Sequence, residues 1–203
     1  MNETIQEKIR EIKQSFRLMM NGTASRSMRE KGADYKLNWG VSIPDLQKMA
    51  DELGKDYDLA ISLWKEDVRE CKILATMVMP PEKMLPEIVD IWMEQTHSQE
   101  MAEIAAFQLY QHLDFALVLA FRWMASEKMP YQVCAYQILA RLFTNGQEPN
   151  ERGINEYLDQ VAIALNDEHA GVRHSAYNSV VRFAALGEDY EKMARKALNL
   201  DFL

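Results

Sequence analysis

The sequence has few of the residues that define the more unusual classes of protein. Its two cysteines, Cys71 and Cys134, lie 63 positions apart and have no neighbouring Cys or His with metal-ligand spacing. We therefore expect both to be small buried core residues, and we expect no metal and no cofactor. The 8 glycines and 6 prolines are too few for a fibrous or low-complexity chain.

Long apolar runs are also missing. The N-terminal segment MNETIQEKIREIK lacks the apolar core of a signal peptide, and no stretch approaches the roughly 18 apolar residues of a membrane span. These absences predict a soluble, cytoplasmic protein without membrane contact. There are 31 acidic and 23 basic residues, for a net charge of -8, which argues against a surface generally coated by nucleic acid but is compatible with a local basic groove.

What the sequence does have is helical periodicity. From Thr4 to Met20 the apolar residues recur every three or four positions, which places them on one helical stripe. The segment Ser42-Ile-Pro-Asp45 predicts a new helix, because Ser caps a first turn and Pro is tolerated within it, and Gly54 predicts its end. No segment alternates polar and apolar residues in the manner of a strand. The sequence therefore predicts an all-α protein.

The predicted helices come in pairs that form a repeat. The small residues of the second helices, Ala105, Ala135 and Ala176, are separated by 30 and 41 positions, which is the interval of helix-pair repeats. We expect a single domain over residues 1–203, in which N-terminal helices (1–54) cap the helix-pair repeats (55–199). Such repeats stack into a superhelix, or α-α solenoid, whose second helices line the concave face.

A turn motif supports this interpretation. Asp167, followed by Val172-Arg173 and then Ala176, is typical of HEAT-type helix pairs, and Val68-Arg69 stands at the matching place of an earlier pair. An arginine that opens a second helix often bonds the turn aspartate of a neighbouring repeat. Internal pairing of this kind is one interpretation of Arg69 and Arg173, and contact with a ligand on the concave face is the other.

Two stretches resemble a known family. The sequences YKLNWGVSIPDLQKMADEL and LAISLWKEDVRECKILATMVM resemble the N-terminal half of the AlkD-type DNA alkylation repair proteins, with Trp64, Arg69, Glu70 and Ala75 as the most specific matches. The resemblance continues more weakly over Ser25 to Leu198. It implies a superhelix of HEAT-like repeats and a metal-independent DNA glycosylase that removes cationic alkylated purines from double-stranded DNA.

The resemblance also implies site positions, and this chain differs at each of them. A glycosylase needs a carboxylate near the sugar, aromatic rings around the cationic base and basic groups on the phosphates. The family's acid segment corresponds to SQEMAEI (98–104), where Glu103, or in second place Glu100, would stand in as the catalytic acid. The family arginine falls on Gln132 or Val133, and the later tryptophan falls on Ser179. We therefore expect base excision to be lost or altered.

Two functions stay open at this point. The first is DNA binding on the concave face, with candidate contacts in the basic residues of the second helices, Lys72, Arg141, Arg182, Arg173 and Arg69. Tyr35 and Trp39, in the loop GADYKLNWGV, either stack on a nucleotide or tuck the N-terminal loop onto the first helix pair. The second function is a non-catalytic HEAT-repeat scaffold that binds a protein or peptide, which the net charge and the altered site favour.

Overall fold

Helices account for the secondary structure of the chain. The computed structural model describes residues 3–33 and 35–199, and within them an isolated bridge between Leu37 and Val68 is the sole β contact. The prediction of an all-α protein is confirmed. The described residues form the α-helices α1 (Glu3–Leu18), α2 (Gly22–Glu30), α3 (Ile43–Leu53), α4 (Tyr57–Trp64), α5 (Arg69–Val78), α6 (Pro86–Glu94), α7 (Gln99–Gln108), α8 (Ala116–Met124), α9 (Met129–Thr144), α10 (Glu151–Ala164), α11 (Ala170–Ala184) and α12 (Glu188–Leu198).

Several helices begin at residues whose side chains bond the free amides of the first turn. The predicted cap Ser42 accepts a hydrogen bond from the Asp45 amide at the start of α3, and Gly54 ends that helix. Asn21, Asp56 and Asn150 cap α2, α4 and α10 in the same way. Because these signals are local, they fix the helix boundaries without tertiary contacts.

One boundary differs from the sequence prediction. The pattern predicted a helix from Gln99 to His112, whereas α7 ends at Gln108 and a short 3-10 turn occupies Tyr110–His112. Between them, Leu109 leaves the helical conformation with φ of -133°. Leu109 and Tyr110 are fully buried, and Leu113 is nearly so. The break in the helix allows these three apolar side chains to enter the core together.

The chain divides into two compact units, one formed by residues up to Ile104 and the other by residues from Ala105 onward. In the first unit, α4 and α3 both pack against α5. In the second unit, α9 packs against α8 and α11, and the rings of Phe143, Tyr157 and Phe183 form an aromatic cluster with centroids 5.1–5.5 Å apart. The prediction of one domain over residues 1–203 stays a prediction.

The core of each unit follows the sequence pattern. Ala105, Ala135 and Ala176, predicted as the small residues of the second helices, are fully buried. Cys71 and Cys134 are also fully buried, as predicted, and burial raises the pKa of the Cys71 thiol to about 12. Both cysteines therefore remain protonated and unreactive in the folded protein.

A buried carboxylate holds the loop between α2 and α3 onto the first helix pair. Glu70 is fully buried and accepts hydrogen bonds from the backbone amides of Trp39 (3.2 Å), Gly40 (2.9 Å) and Val41 (3.3 Å). On the other side of the loop, the Asn21 amide donates to the Trp39 carbonyl at 2.8 Å. The loop backbone thus lies between α5 and the start of α2.

This close approach requires glycine at position 40. Gly40 has a φ of 71°, and a Cβ placed on it would lie 2.3 Å from the Asn21 carbonyl oxygen and 2.7 Å from the Ser25 amide nitrogen. We expect Gly40→Ala to lower the free energy of unfolding well beyond the roughly 1–3 kcal/mol of backbone strain alone, as measured by urea denaturation.

Gly54 provides the matched control for that substitution. It has nearly the same φ, 70°, but no heavy atom lies within 4 Å of its Cβ position. Gly54→Ala therefore reports the strain without the clash. We expect Gly40→Ala to lose at least about 2 kcal/mol more than Gly54→Ala, because a backbone clash cannot relax cheaply. Equal losses would contradict the requirement for a close approach.

Candidate functional site

In the first unit, Arg69 is an internal cross-link. It is 1% exposed, and its guanidinium donates to the Glu100 carboxylate at 2.6 and 2.9 Å and to Glu70 at 3.2 Å. Burial alone would lower the pKa of Arg69, but the two carboxylates more than offset this effect and raise it. The partners of Arg69 are two glutamates rather than a turn aspartate of a neighbouring repeat. So deeply buried, Arg69 has no surface to offer a phosphate, and Glu100 is already bound to a cation.

Glu103, the candidate acid, lies on α7 in a half-buried position. Its carboxylate accepts a hydrogen bond from the Gln99 side-chain amide at 2.8 Å. Gln99 occupies a place where the resemblance implies an aromatic or acidic residue. An amide can orient the carboxylate, but it lacks the ring face that would hold a cationic base.

Tyr35 and Trp39 both pack onto neighbouring helices. The Tyr35 hydroxyl lies 3.1 Å from the Ser98 Oγ at the start of α7, and burial raises the pKa of this tyrosine. The Trp39 ring lies against Phe16 of α1, with ring centroids 5.7 Å apart. The Trp39 contact is one expected of a loop tucked onto the first helices, whereas the Tyr35 hydroxyl contacts the residue that precedes α7.

Lys72 lines a cavity that the sequence did not indicate. The half-buried lysine donates to the Trp64 carbonyl at 3.1 Å, and its ammonium lies 4.6 Å from the centroid of the Trp64 ring. Burial lowers its pKa. Trp64 in turn stacks on Trp92, with centroids 4.1 Å apart and planes 2° from parallel. Both tryptophans are 2% exposed and therefore belong to the core.

The other candidate arginines belong to the second unit. Arg141, on α9, is half-buried with its guanidinium 4.7 Å from the Phe107 ring, and its Nε donates to Gln111 at 3.5 Å. Arg182, on α11, is exposed. Arg173, also exposed, donates to the backbone carbonyls of Asp167 and Glu168 at 2.6 and 2.9 Å. Arg173 therefore stabilises the turn before α11, although not through the Asp167 side chain.

Two aromatic residues of the second unit are exposed, and neither was predicted. Phe107, near the end of α7, is 47% exposed, and Tyr177, on α11, is 37% exposed. The helices α9 and α11 that carry Arg141 and Tyr177 pack closely and are joined by a hydrogen bond from Gln137 to Ser175 at 3.3 Å. The sequence feature that could have identified them is an aromatic residue that helical periodicity places on the outward side of a predicted second helix.

Comparison with known proteins connects this arrangement to a family. The sequence matches the family described as DNA alkylation repair enzyme over residues 12–199. The chain belongs to this family. The resemblance drawn from the N-terminal stretches is therefore confirmed and extends over nearly all of the sequence. A search of curated proteins found no match.

The structure is similar to a solved one described as a new family of proteins related to the HEAT-like repeat DNA glycosylases with affinity for branched DNA structures. The TM-score is 0.80, the alignment covers 93% of this chain and 82% of that chain, and the sequences are 16% identical. At this identity the similarity shows the fold, which is a HEAT-like helical repeat as predicted.

The residues that the resemblance assigned to two family site positions are at least half-buried. Of Gln132 and Val133, the alternatives for the family arginine, Gln132 is half-buried and Val133 is fully buried, and Ser179, the expected place of the later tryptophan, is fully buried. Ser179 lies 2.8 Å from the Tyr157 hydroxyl and donates to the Ala176 carbonyl at 2.7 Å. Neither Val133 nor Ser179 presents a side chain that a DNA strand can reach.

The described residues were also searched for metal sites and for membrane-spanning helices. In residues 3–33 and 35–199, no cluster of three or more His, Cys, Asp or Glu side chains is arranged to hold a metal ion. None of the helices in that part of the chain is both long enough and apolar enough to cross a membrane.

Proposed function

We propose that this DNA alkylation repair family member binds double-stranded DNA through the second helices of its second unit, without excising bases by AlkD-type chemistry. The observation that carries the proposal is the pair of arginines, Arg141 on α9 and Arg182 on α11, on two closely packed helices. Family membership supplies the context. The net charge of -8 then confines phosphate binding to local basic patches of this kind.

The environment of Arg141 suits a phosphate contact. Its guanidinium lies over the Phe107 ring, an arrangement that engages the face of the cation and leaves N–H groups at its edge. Such a preorganised guanidinium can bind a phosphate with two parallel hydrogen bonds. Arg182 adds a second positive charge on the adjacent helix, where its exposure allows it to reach a DNA backbone.

The exposed rings suggest which DNA would be preferred. Phe107 and Tyr177 offer surfaces on which unpaired bases stack, whereas a continuous duplex keeps its bases inside. A branch point presents both less protected bases and a high density of phosphates. The structurally similar protein is described as having affinity for branched DNA, and we extend that preference to this chain as part of the proposal.

The proposed loss of base excision rests on the residues around Glu103. Its hydrogen-bond partner is the neutral Gln99, and Glu100 beside it is bound to Arg69. The resemblance assigns the family arginine to Gln132 or Val133, of which the first is half-buried and the second fully buried, and it assigns the later tryptophan to the fully buried Ser179. A carboxylate without an aromatic cradle has little means to hold a cationic nucleotide in place for attack.

A binding titration tests the DNA contact. Fluorescently labelled duplex and a four-way junction with the same arm sequences are titrated in about 50 mM salt, where phosphate attraction is strong. We expect both to bind, the junction more tightly. We expect the double variant Arg141→Gln/Arg182→Gln to bind at least about tenfold more weakly, with a log-log salt slope that is shallower by roughly 2.

Arg152→Gln is the control for the titration. Arg152 is an exposed arginine of the same unit, but it lies on α10, a first helix of its pair, so its loss changes the net charge without touching the proposed surface. An equal loss of affinity in this control would contradict the proposed location. If neither DNA binds, the alternative function, a non-catalytic protein- or peptide-binding HEAT-repeat scaffold, takes its place.

The same proteins, incubated with duplex containing N7-methylguanine, test the chemistry. We expect no free base above the buffer control, and no difference between the natural protein and Glu103→Gln. Steady release that Glu103→Gln abolishes would show that Glu103 acts as the catalytic acid and would refute this part of the proposal.

A further inference from the structure

We infer that the cavity along α4 and α6 in the first unit is a binding site for a small ligand that combines a planar aromatic body with an anionic group, the class of the nucleoside monophosphates. The cavity has a volume of about 920 Å³. Ligand sites in proteins usually measure roughly 300–1,000 Å³, so this cavity can accept a molecule of mononucleotide size.

The walls of the cavity suit an aromatic body. Apolar and aromatic side chains from both helices line it, namely Tyr57, Ile61, Trp64, Ile88, Ile91 and Trp92. The two tryptophans are fixed by their mutual stacking, and Lys72 lies over the Trp64 ring. Since both tryptophans are 2% exposed, the surface left for a flat ligand belongs to the partly exposed Tyr57, Ile61, Ile88 and Ile91, which the ordered tryptophans support from behind.

Hydrogen-bond donors occur at the same cavity. The Trp64 indole N–H, which can only donate, bonds the Gln95 side-chain oxygen at 2.8 Å and so leaves the amide NH₂ of Gln95 as a donor. Lys72 has three N–H donors, of which one bonds the Trp64 carbonyl. These donors favour a ligand group that accepts hydrogen bonds and carries negative charge.

The charges that face the cavity favour an anion as well. Lys65 and Lys72 both line it, against a single carboxylate, Asp67, which is exposed to solvent. Lys72 is the more important cation because it is half-buried and only partly solvated. Its interaction with a bound anion is therefore screened less than that of a surface lysine.

This site is separate from the residues proposed to bind DNA. Glu103 and Gln99 do not line the cavity, and Arg141 and Arg182 belong to the other unit. Failure of the DNA titration would therefore leave the cavity proposal untouched, and failure of the ligand titration would leave the DNA proposal untouched.

The four tryptophans of the chain provide the test. In ¹⁵N-¹H correlation spectra, the indole signals of Trp64 and Trp92 report on the cavity, while those of Trp39 and Trp123, which do not line it, serve as internal controls. On titration with adenosine 5′-monophosphate, we expect saturable shifts of the first two signals and none of the last two. We expect adenosine, which lacks the anion, and ribose 5-phosphate, which lacks the ring, to bind at least about tenfold more weakly, because each forfeits one of the two sets of contacts.

A substitution assigns the anion contact. Lys72→Met keeps an unbranched stem over Trp64 but removes the ammonium, and we expect it to weaken adenosine 5′-monophosphate binding at least about tenfold. Lys48→Met, at an exposed position on α3, makes the same charge change away from the cavity and should leave affinity unchanged. The proposal is overturned by absent saturation at millimolar nucleotide, by equal binding of adenosine, or by an equal effect of both substitutions. The comparison of ligands uses only the natural protein, so it holds even if Lys72→Met unfolds.

Discussion

Replacing Glu70 with alanine should lower the free energy of unfolding by about 3–5 kcal/mol, the range seen when one partner of a buried ion pair is removed. Glu70 is fully buried and serves four donors, the amides of Trp39, Gly40 and Val41 and the guanidinium of Arg69. Without the carboxylate, the three amides lose this acceptor, and Arg69 keeps Glu100 as its remaining anionic partner.

Two further substitutions show which part of this loss comes from charge. Glu70→Gln keeps one acceptor oxygen but removes the negative charge. Its free energy of unfolding should therefore lie between those of the natural protein and Glu70→Ala. Glu52→Ala, at an exposed site on α3, should stay within about 0.5 kcal/mol of the natural protein. Urea unfolding followed by circular dichroism measures all three. A Glu70→Ala loss below about 1 kcal/mol would show that the loop is held by other contacts.

The sequence predicted those parts of the fold that local interactions decide. Ser42, Pro44 and Gly54 mark the ends of α3 because capping depends on atoms within one turn of the helix. Ala105, Ala135 and Ala176 were identified as the small residues of the second helices from their repeat spacing, and they are buried because small residues permit close helix packing. Such features require no knowledge of how the helices are placed against one another.

The partners of charged residues depend on the placement of helices, and there the sequence was less informative. The repeat pattern pointed to a turn aspartate as the partner of Arg69, whereas Glu100, 31 positions further along, supplies the bidentate contact. The sequence offers several carboxylates that could pair with Arg69. The relative position of α5 and α7 selects one of them, and no periodicity in the sequence specifies that position.

The cavity and the arginine on Phe107 were unpredictable for a related reason. A cavity is a gap between packed side chains, so it depends on small offsets between α4 and α6 rather than on which residues are apolar. Arg141 and Phe107 lie on different helices, and their contact follows from the way those helices stack. Hydrophobic periodicity identifies which side of a helix is buried, but it does not identify what an exposed side chain touches.

A tryptophan placed at Ser179 should destabilise the second unit rather than produce glycosylase activity. Ser179 is fully buried, and its hydroxyl lies 2.8 Å from that of Tyr157, within the core that includes Phe183 and Phe143. An indole does not fit there without displacing these rings, and the Tyr157 hydroxyl would lose its partner. We expect Ser179→Trp to cost about 3–5 kcal/mol, from overpacking together with one unsatisfied buried hydroxyl.

Asn178→Trp is the control variant. It separates the effect of overpacking at Ser179 from the effect of a tryptophan anywhere on α11. Asn178 precedes Ser179 on α11 but is only half-buried, so its replacement should cost less than about 1 kcal/mol. Thermal unfolding and release of N7-methylguanine are measured for both variants. A stable Ser179→Trp protein that released base would mean that α11 can turn its buried side toward DNA. Our interpretation requires instead that the helix keep Ser179 against Tyr157, and that the two variants therefore differ in stability while neither releases base.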